Sequence, residues 1–420
     1  MSGRCEWTVK KSKLARKTHN PIRHIIENLD LRPNPEKQMI ALSIGDPTIF
    51  GNLRAPPTVI DALEDSLSSF RFNGYGPATG FDSAKQAIAE YTSTHTTPVY
   101  SEDVVLCSGC SGAIDLAISV LAEAGQNILV PCPGFSIYKT LAEGLDISVK
   151  EYKLKPENDW EVDLDDLERA IDDNTAALII TNPSNPCGSV YSDRHLRDIV
   201  QVAARHFVPI IADEIYEHLV FKGETFVPIA DVSNEVPVLK CSGLTKRFLI
   251  PGWRVGWIVV HDRQGILSKE IRGGLQQLAT RILGCNTLVQ GAIPQILRET
   301  PQSFYDETVE FYQNNANIAY ELLSVVPGLK PIMPKGAMYM MVCVDMRNFP
   351  GIKNGLDFVS QLVCEESVFP LPGECFSYPG YFRIVLSVPE EMLEAACRRI
   401  SDFCDRHYNR KPILISACPD

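Results

Sequence analysis

At 420 residues the chain is long for one core and points to two domains, or to one large domain with a smaller one packed on it. Its 45% apolar and 22% charged residues are ordinary for a soluble globular protein. A net charge of −12 argues against general binding to nucleic acid or membrane surfaces, both anionic, and no uncharged apolar run reaches the ~18 residues of a membrane span.

The first basic stretch holds Lys10, Lys11, Lys13, Arg16 and Lys17, with Glu6 the only acid before Glu27. It reads as a mobile basic arm. A mitochondrial presequence is the lesser alternative, because Pro21 follows and the region runs on into structured sequence. Thirteen cysteines without framework spacing read as reduced thiols, so an intracellular, cytoplasmic setting is expected. Cys107-Ser108-Gly109-Cys110 forms a C-x-x-C, but without a second ligand pair or a redox context a tight turn is expected there.

Short apolar runs then alternate with helical patterns. Val104 to Leu106, Asn127 to Val130, Ile147 to Tyr152, Ala176 to Thr181, Val208 to Ala212, Val236 to Lys240 and Gly256 to Val260 are predicted strands. Gly112 to Ala124, Asp163 to Ile171 and Asp193 to His206 are predicted helices. Such alternation implies a largely parallel α/β sheet covered on both faces, with ligands at the C-terminal ends of its strands.

The candidate chemical residues fall at those ends. Gly109-Cys110-Ser111-Gly112 opens a helix, where free N–H groups and a hydroxyl can cradle a phosphate; a plain strand-to-helix junction is the alternative. Phe135 follows the Asn127 strand and can stack on an aromatic ring, or simply fill the core. Asn182-Pro183-Ser184-Asn185-Pro186 is a turn-rich run in which Asn185 can present its amide to a ligand hydroxyl. Asp213-Glu214-Ile215-Tyr216 ends a strand: the carboxylate can keep a pyridine nitrogen protonated, or cap a helix. Lys246 follows a strand and a small-residue turn, where a lysine can attack an aldehyde, and Arg254 sits among glycines, where it can grip a phosphate. Taken alone, both read first as ordinary solvated loop residues.

Beyond a long helical pattern, Ser303 to Leu323, the segments Met338 to Val344, Tyr381 to Val388 and Glu390 to His407 read as a smaller α+β unit. The expected division is 1–62 (arm and part of the small domain), 63–315 (large domain) and 316–420 (small domain), with Ile413 to Asp420 a frayed tail. Arg383 is a charge inside an apolar strand; a substrate carboxylate or an internal salt bridge would serve it equally. No H-E-x-x-H, G-x-S-x-G or G-K-[ST] accompanies these elements, and His218 reads as a helix-surface residue.

In this order the residues resemble the fold-type I, class I/II aminotransferases that depend on pyridoxal 5′-phosphate (PLP). The resemblance runs from Asn20-Pro21-Ile22-Arg23 to the Glu390 helix. It rests on Leu42-Ser43-Ile44-Gly45-Asp46-Pro47, Asn73-Gly74-Tyr75, Asn182 to Gly188, Asp213 to Tyr216, Gly243 to Gly256 and Gly336-Ala337-Met338-Tyr339.

It implies a large domain with a mainly parallel seven-stranded sheet and a smaller α+β domain. Lys246 would be the Schiff-base lysine, Asp213 the pyridine-nitrogen partner, and Asn185 with Tyr216 the pair on the ring oxygen. Phe135 would stack on the ring. Cys110 through its backbone, Ser111 and Arg254 would hold the phosphate. Tyr75 would reach the phosphate of a neighbouring subunit, which implies a homodimer with shared sites. Arg383 would clamp the substrate α-carboxylate, with Gly45 lining the same place. Many relatives carry Ser where this chain has Gly243, a change that bears on subfamily more than on cofactor.

The implied reaction moves the amino group of an aromatic L-amino acid, tyrosine first, to a 2-oxo acid such as 2-oxoglutarate by ping-pong chemistry, giving 4-hydroxyphenylpyruvate, as in tyrosine catabolism. An alanine- or kynurenine-type aminotransferase, a PLP lyase and a non-catalytic PLP-sensing regulator are the alternatives. The last would need room for a DNA-binding module ahead of the core. Arg281 and Asn286 are expected either to reach the site or to serve structure.

Overall fold

Local sequence accounts for most of the elements in the computed structural model, which describes residues 9–29, 31–268 and 270–409. Its strands are β1 Ile40–Ala41, β2 Val104–Cys107, β3 Asn127–Cys132, β4 Ser148–Lys155, β5 Glu161–Val162, β6 Thr175–Thr181 and β7 Ile210–Asp213. They continue with β8 Val238–Gly243, β9 Gly256–His261, β10 Leu329–Pro331, β11 Tyr339–Val344, β12 Val368–Phe369, β13 Leu371–Pro372 and β14 Tyr381–Val385. The first helices are α1 Lys13–Lys17, α2 Pro21–Asn28, α3 Pro57–Ser68, α4 Asp82–Thr92 and α5 Gly109–Leu121.

The large sheet has the order β2-β9-β8-β7-β6-β3-β4-β5. The seven expected strands are all present, and the two-residue β5 adds an eighth by folding back on β4. Strands β4, β3, β6, β7 and β8 are linked by parallel pairings, whereas β9 is antiparallel to both neighbours. The connection fits this: Leu244–Val255 carries only a 3-10 turn at Pro251–Trp253 and no α-helix of the kind that usually crosses the sheet for a parallel return.

Burial on both faces follows the pleat. Ile210, Ala212 and Val238 pack into one apolar cluster and Ile211, Leu239 and Cys241 into another. The helix Asp193–Arg205 shows the matching stripe, burying Leu196, Ile199, Val200 and Ala203.

The smaller sheet, β10-β11-β14-β13, is antiparallel throughout. It shares an apolar core with the helices Gln302–Ser324 and Glu390–His407. The pairing of β1 with β12 carries the chain that follows, Ser43 to Asp46, to the cleft between the two sheets.

Two expectations change. The basic arm is docked where it is described: Ser12 caps α1, and Lys13 and Lys17 both pair with Asp146, at 2.5 Å for Lys13. His218 is exposed as expected but lies on a turn with φ +64°, not on a helix. The tail expected to fray, 413–420, lies outside the described residues.

Candidate active site

Three glycines let three backbones nest where the site begins. A Cβ on Gly243, the last residue of β8, would lie 2.7 Å from both Gly256 Cα and Val255 O. A Cβ on Gly256 would meet Gly109 C at 2.4 Å and Cys110 N at 2.5 Å, and one on Gly109 would meet Arg254 Nη2 at 2.4 Å. The start of α5 is thereby pressed against β9. Its cap residue Ser108 makes no side-chain cap hydrogen bond, so the first-turn N–H groups keep their capacity for an anion. Arg254 stands beside them with φ +56°, a left-handed conformation unfavourable for a side-chain-bearing residue. Its guanidinium donates to Pro251 O at 3.0 Å and Ser108 O at 3.4 Å.

The steric reading of Gly243 gives a prediction. Gly243→Ser places new atoms against backbone that cannot swing aside. It should lower stability by about 1–3 kcal/mol, the usual range for overpacking, without adding a phosphate contact. Thermal unfolding and phosphate-analogue affinity of the variant check both halves.

Asp213, at the end of β7, is buried and held on both oxygens. Tyr138 OH donates to Oδ2 at 2.6 Å and also meets Thr181 Oγ1 at 2.8 Å; Cys110 Sγ approaches Oδ1 at 3.6 Å. Burial pushes the carboxyl above its usual range even though these donors and Lys246 pull it down. A cation placed beside it would restore the ionised form. The chain beyond Asp213 turns without forming a helix, which removes the capping role the sequence left open.

Lys246 Nζ donates to Gly45 O at 2.6 Å and lies 5.7 Å from the Tyr216 ring centre. Opposite, the Arg383 guanidinium donates to Asn185 Oδ1 at 2.8 Å and Ser43 O at 2.9 Å, and lies over the Tyr339 ring at 4.2 Å. It is 4% exposed, its Nε has no hydrogen-bond partner, and among the described residues no ion pair includes it. Of the two readings of Arg383, the internal salt bridge is therefore absent.

One cavity of about 440 Å³ gathers Lys246, Asp213, Tyr216, Asn185, Cys110, Ser111, Phe135, Arg254, Gly45 and Arg383. Tyr75 is the exception: it does not line this cavity and is 92% exposed. Asn286 caps the helix Thr287–Glu299, and Arg281 lines a separate recess with Asp115.

Sequence reasoning gave no role to several residues found here. Tyr339 OH lies 2.7 Å from Tyr216 OH. Burial would raise the Tyr339 phenol, but Lys246, Arg383 and the bond from Tyr216 outweigh it and leave it below its usual value; burial and Tyr339 raise Tyr216. Either hydroxyl can donate in this pair, and Tyr216 keeps its proton for a further acceptor when Tyr339 is the donor. Ile22 and Ile26 of α2, with Ile44 and Leu371, give the cavity an apolar side. A tyrosine on an apolar strand and an isoleucine pair on a short helix read as core from sequence, so only the quoted motifs holding Ile22, Ile44 and Tyr339 signalled any of them.

The model of the family described as aminotransferase class I and II matches residues 37–400. Tyrosine aminotransferase of Bos taurus is 53% identical over 408 residues, covering 97% of this chain and 91% of that one. Tyrosine aminotransferase of Homo sapiens is 53% identical over 410 residues, covering 97% and 90%. The crystal structure of tyrosine aminotransferase from Leishmania infantum superposes with a TM-score of 0.93 at 34% identity, covering 96% of this chain and all of the other.

Proposed function

Because the chain belongs to the aminotransferase class I and II family, we propose that it is a PLP-dependent enzyme that moves the amino group of L-tyrosine, and of other aromatic amino acids after it, to a 2-oxo acid such as 2-oxoglutarate. The observation that carries this reading is one cavity holding a lysine amine, a buried carboxylate and a buried guanidinium without a counter-ion.

The residues fit the cofactor. The uncapped start of α5 with Ser111 and Arg254 suits its phosphate, and a Cβ on Gly109 would fill that cradle. Asp213 suits a protonated ring nitrogen, Asn185 and Tyr216 the ring oxygen, and Phe135 the ring face. Bound PLP supplies an aldehyde that takes up the amino group and a ring that withdraws electrons from Cα.

The rest is the work of the chain. Lys246 would hold the cofactor until substrate arrives; its freed Nζ would then accept the Cα proton as general base and, as an ammonium, be the acid that gives it back. Asp213 keeps the positive charge on the ring nitrogen that makes this proton removable. Arg383 grips the α-carboxylate and so fixes which way the Cα–H points. Ile22, Ile26, Ile44 and Leu371 offer an apolar wall to an aromatic side chain and shield the site from water.

We propose further that the enzyme works as a homodimer in which Tyr75 reaches the phosphate of the neighbouring site. Segments 70–78 and 281–291 adjoin, since Thr287 Oγ1 donates to Phe72 O at 2.7 Å. They expose Phe70, Tyr75, Ile282 and Leu283, an apolar surface that a second copy would cover.

The test is the near-ultraviolet and visible spectrum of the PLP-loaded protein before and after L-tyrosine, with no 2-oxo acid present. Conversion to the aminated cofactor with one equivalent of 4-hydroxyphenylpyruvate released is expected. A spectrum unmoved by tyrosine but converted by alanine or kynurenine would overturn the substrate. Ammonia release without a 2-oxo acid would indicate a lyase.

A further inference from the structure

Behind the wall of the cavity that carries Asp213 and Tyr216 lies a buried ion cluster with no part in the steps above. Asp213 and Tyr216 face the cavity, and their neighbours Glu214 and Glu217 turn the other way, into β8. Lys240 Nζ lies 2.5 Å from Glu217 Oε2 and 3.3 Å from Glu214 Oε2. Ser242 Oγ donates to Glu217 Oε1 at 2.6 Å, and Glu214 Oε1 accepts from Ile229 N at 2.9 Å. All four side chains belong to residues no more than 3% exposed. Tyr91, His218, Arg247, His261 and Cys241 are the other titratable or charged groups around them.

Stability does not explain such a cluster. Each ion withdrawn from water costs several kcal/mol, and well-packed apolar residues would hold the same space as firmly. Its geometry, in contrast, is specific. Lys240 and Ser242 stand two residues apart on one face of β8, and both reach Glu217, which follows Tyr216 directly. Glu214 N donates to Cys241 O at 3.0 Å, so the turn beyond β7 is also tied to β8 through its backbone. From Ser242 the chain runs through Gly243 to Lys246, with Leu244 N donating to Val255 O at 3.1 Å. The cluster therefore cross-links the segment bearing Asp213 and Tyr216 to the segment bearing Lys246.

We propose that Lys240, Glu217 and Ser242 are positioning residues that set the Tyr216 hydroxyl and Lys246 at a fixed separation across the cofactor site. The proposal rests on the PLP reading above. It assigns a task to charges that touch neither cofactor nor substrate. Loosening the cluster lets Tyr216 drift from the ring oxygen. A ring oxygen that loses its donor holds the nearby proton more tightly, so the pH at which the visible band of Lys246-bound PLP titrates must rise.

The experiment uses the loaded enzyme with Glu217→Gln, Lys240→Met and the paired Lys240→Met/Glu217→Leu, and Tyr216→Phe as reference. The expected result is an upward move of that titration midpoint by about one unit, a tenfold change in proton affinity. It should fall in the same direction as Tyr216→Phe and be accompanied by a kcat loss of about tenfold with KM little changed. Midpoints identical to the parent protein, with only the melting temperature lowered, would overturn the proposal and leave the cluster a packing feature. Should the charge variants fail to fold, Ser242→Ala removes one hydrogen bond to Glu217 and is read against the same midpoint, where no movement counts against the proposal. Absence of any visible band in the parent protein would instead defeat the PLP reading, so the two failures are told apart.

Discussion

Lys246→Ala is expected to lower kcat/KM by about 10⁴-fold or more, the upper end of what a positioned proton carrier contributes. Among the described residues Lys246 is the only amine lining the cavity, and the carboxylates there offer no replacement. Asp213 is held by Tyr138 and Cys110, and Asp46 accepts from the Thr48 N–H at 2.8 Å and hydroxyl at 2.7 Å. The variant loses two functions together, the covalent hold on the cofactor and the base that moves the Cα proton. Lys246→Arg should fare little better, because a guanidinium keeps its charge at neutral pH and neither attacks an aldehyde nor accepts a proton. Stopped-flow spectra of the tyrosine half-reaction measure the effect directly. Activity within tenfold of the parent protein would mean that another group moves the proton, and the Tyr216–Tyr339 pair would be the place to look.

How much of this was legible in the sequence depended on how local the cause was. The seven main strands and the helices Asp193–Arg205 and Glu390–His407 follow from periodicity, because each buries its own face. The reversed β9 was not legible: both directions give the same apolar run, and the difference lies in the loop between. The strand-end residues Asp213, Asn185 and Lys246 were found because parallel strands all point their C-terminal ends toward one crevice.

Tyr138, Tyr339, Ile22 and Ile26 were not found, since each resembles an ordinary core residue and acquires its place only when distant segments meet. Gly243 is instructive in another way. The resemblance presented it as a place where many relatives carry Ser, a mark of subfamily, whereas in space it is the point where β8 and β9 come too close for any side chain. The Lys240 cluster was hidden for a related reason: a lysine in a strand reads as an edge or surface residue until the two glutamates of the turn beyond the neighbouring β7 are placed against it.

Arg383→Met should separate binding from stability more sharply than any other change. A guanidinium this deeply buried is held by Asn185, Ser43 and the Tyr339 and Phe376 rings, with no carboxylate among the described residues to neutralise it. Burial accordingly draws its pKa down. A buried cation without a counter-ion is a cost to the fold, so the methionine variant should melt no lower than the parent protein when ligand-free, once the two lost hydrogen bonds are offset by the charge removed. Binding should suffer in the opposite sense. Truncating one partner of a buried, hydrogen-bonded charge pair costs about 2–5 kcal/mol, so kcat/KM for amino acids and 2-oxo acids alike should fall by roughly 30- to 5,000-fold, mostly through KM. Arg383→Lys retains the charge but not the two-pronged donor, and should fall between. The decisive comparison is tyrosine against tyrosinamide, which differs only in lacking the carboxylate charge. If Arg383 acts on that carboxylate, the parent protein discriminates strongly between the two and the methionine variant hardly at all. Equal losses for both compounds would mean that Arg383 shapes the pocket through Tyr339 and Asn185 rather than by gripping substrate.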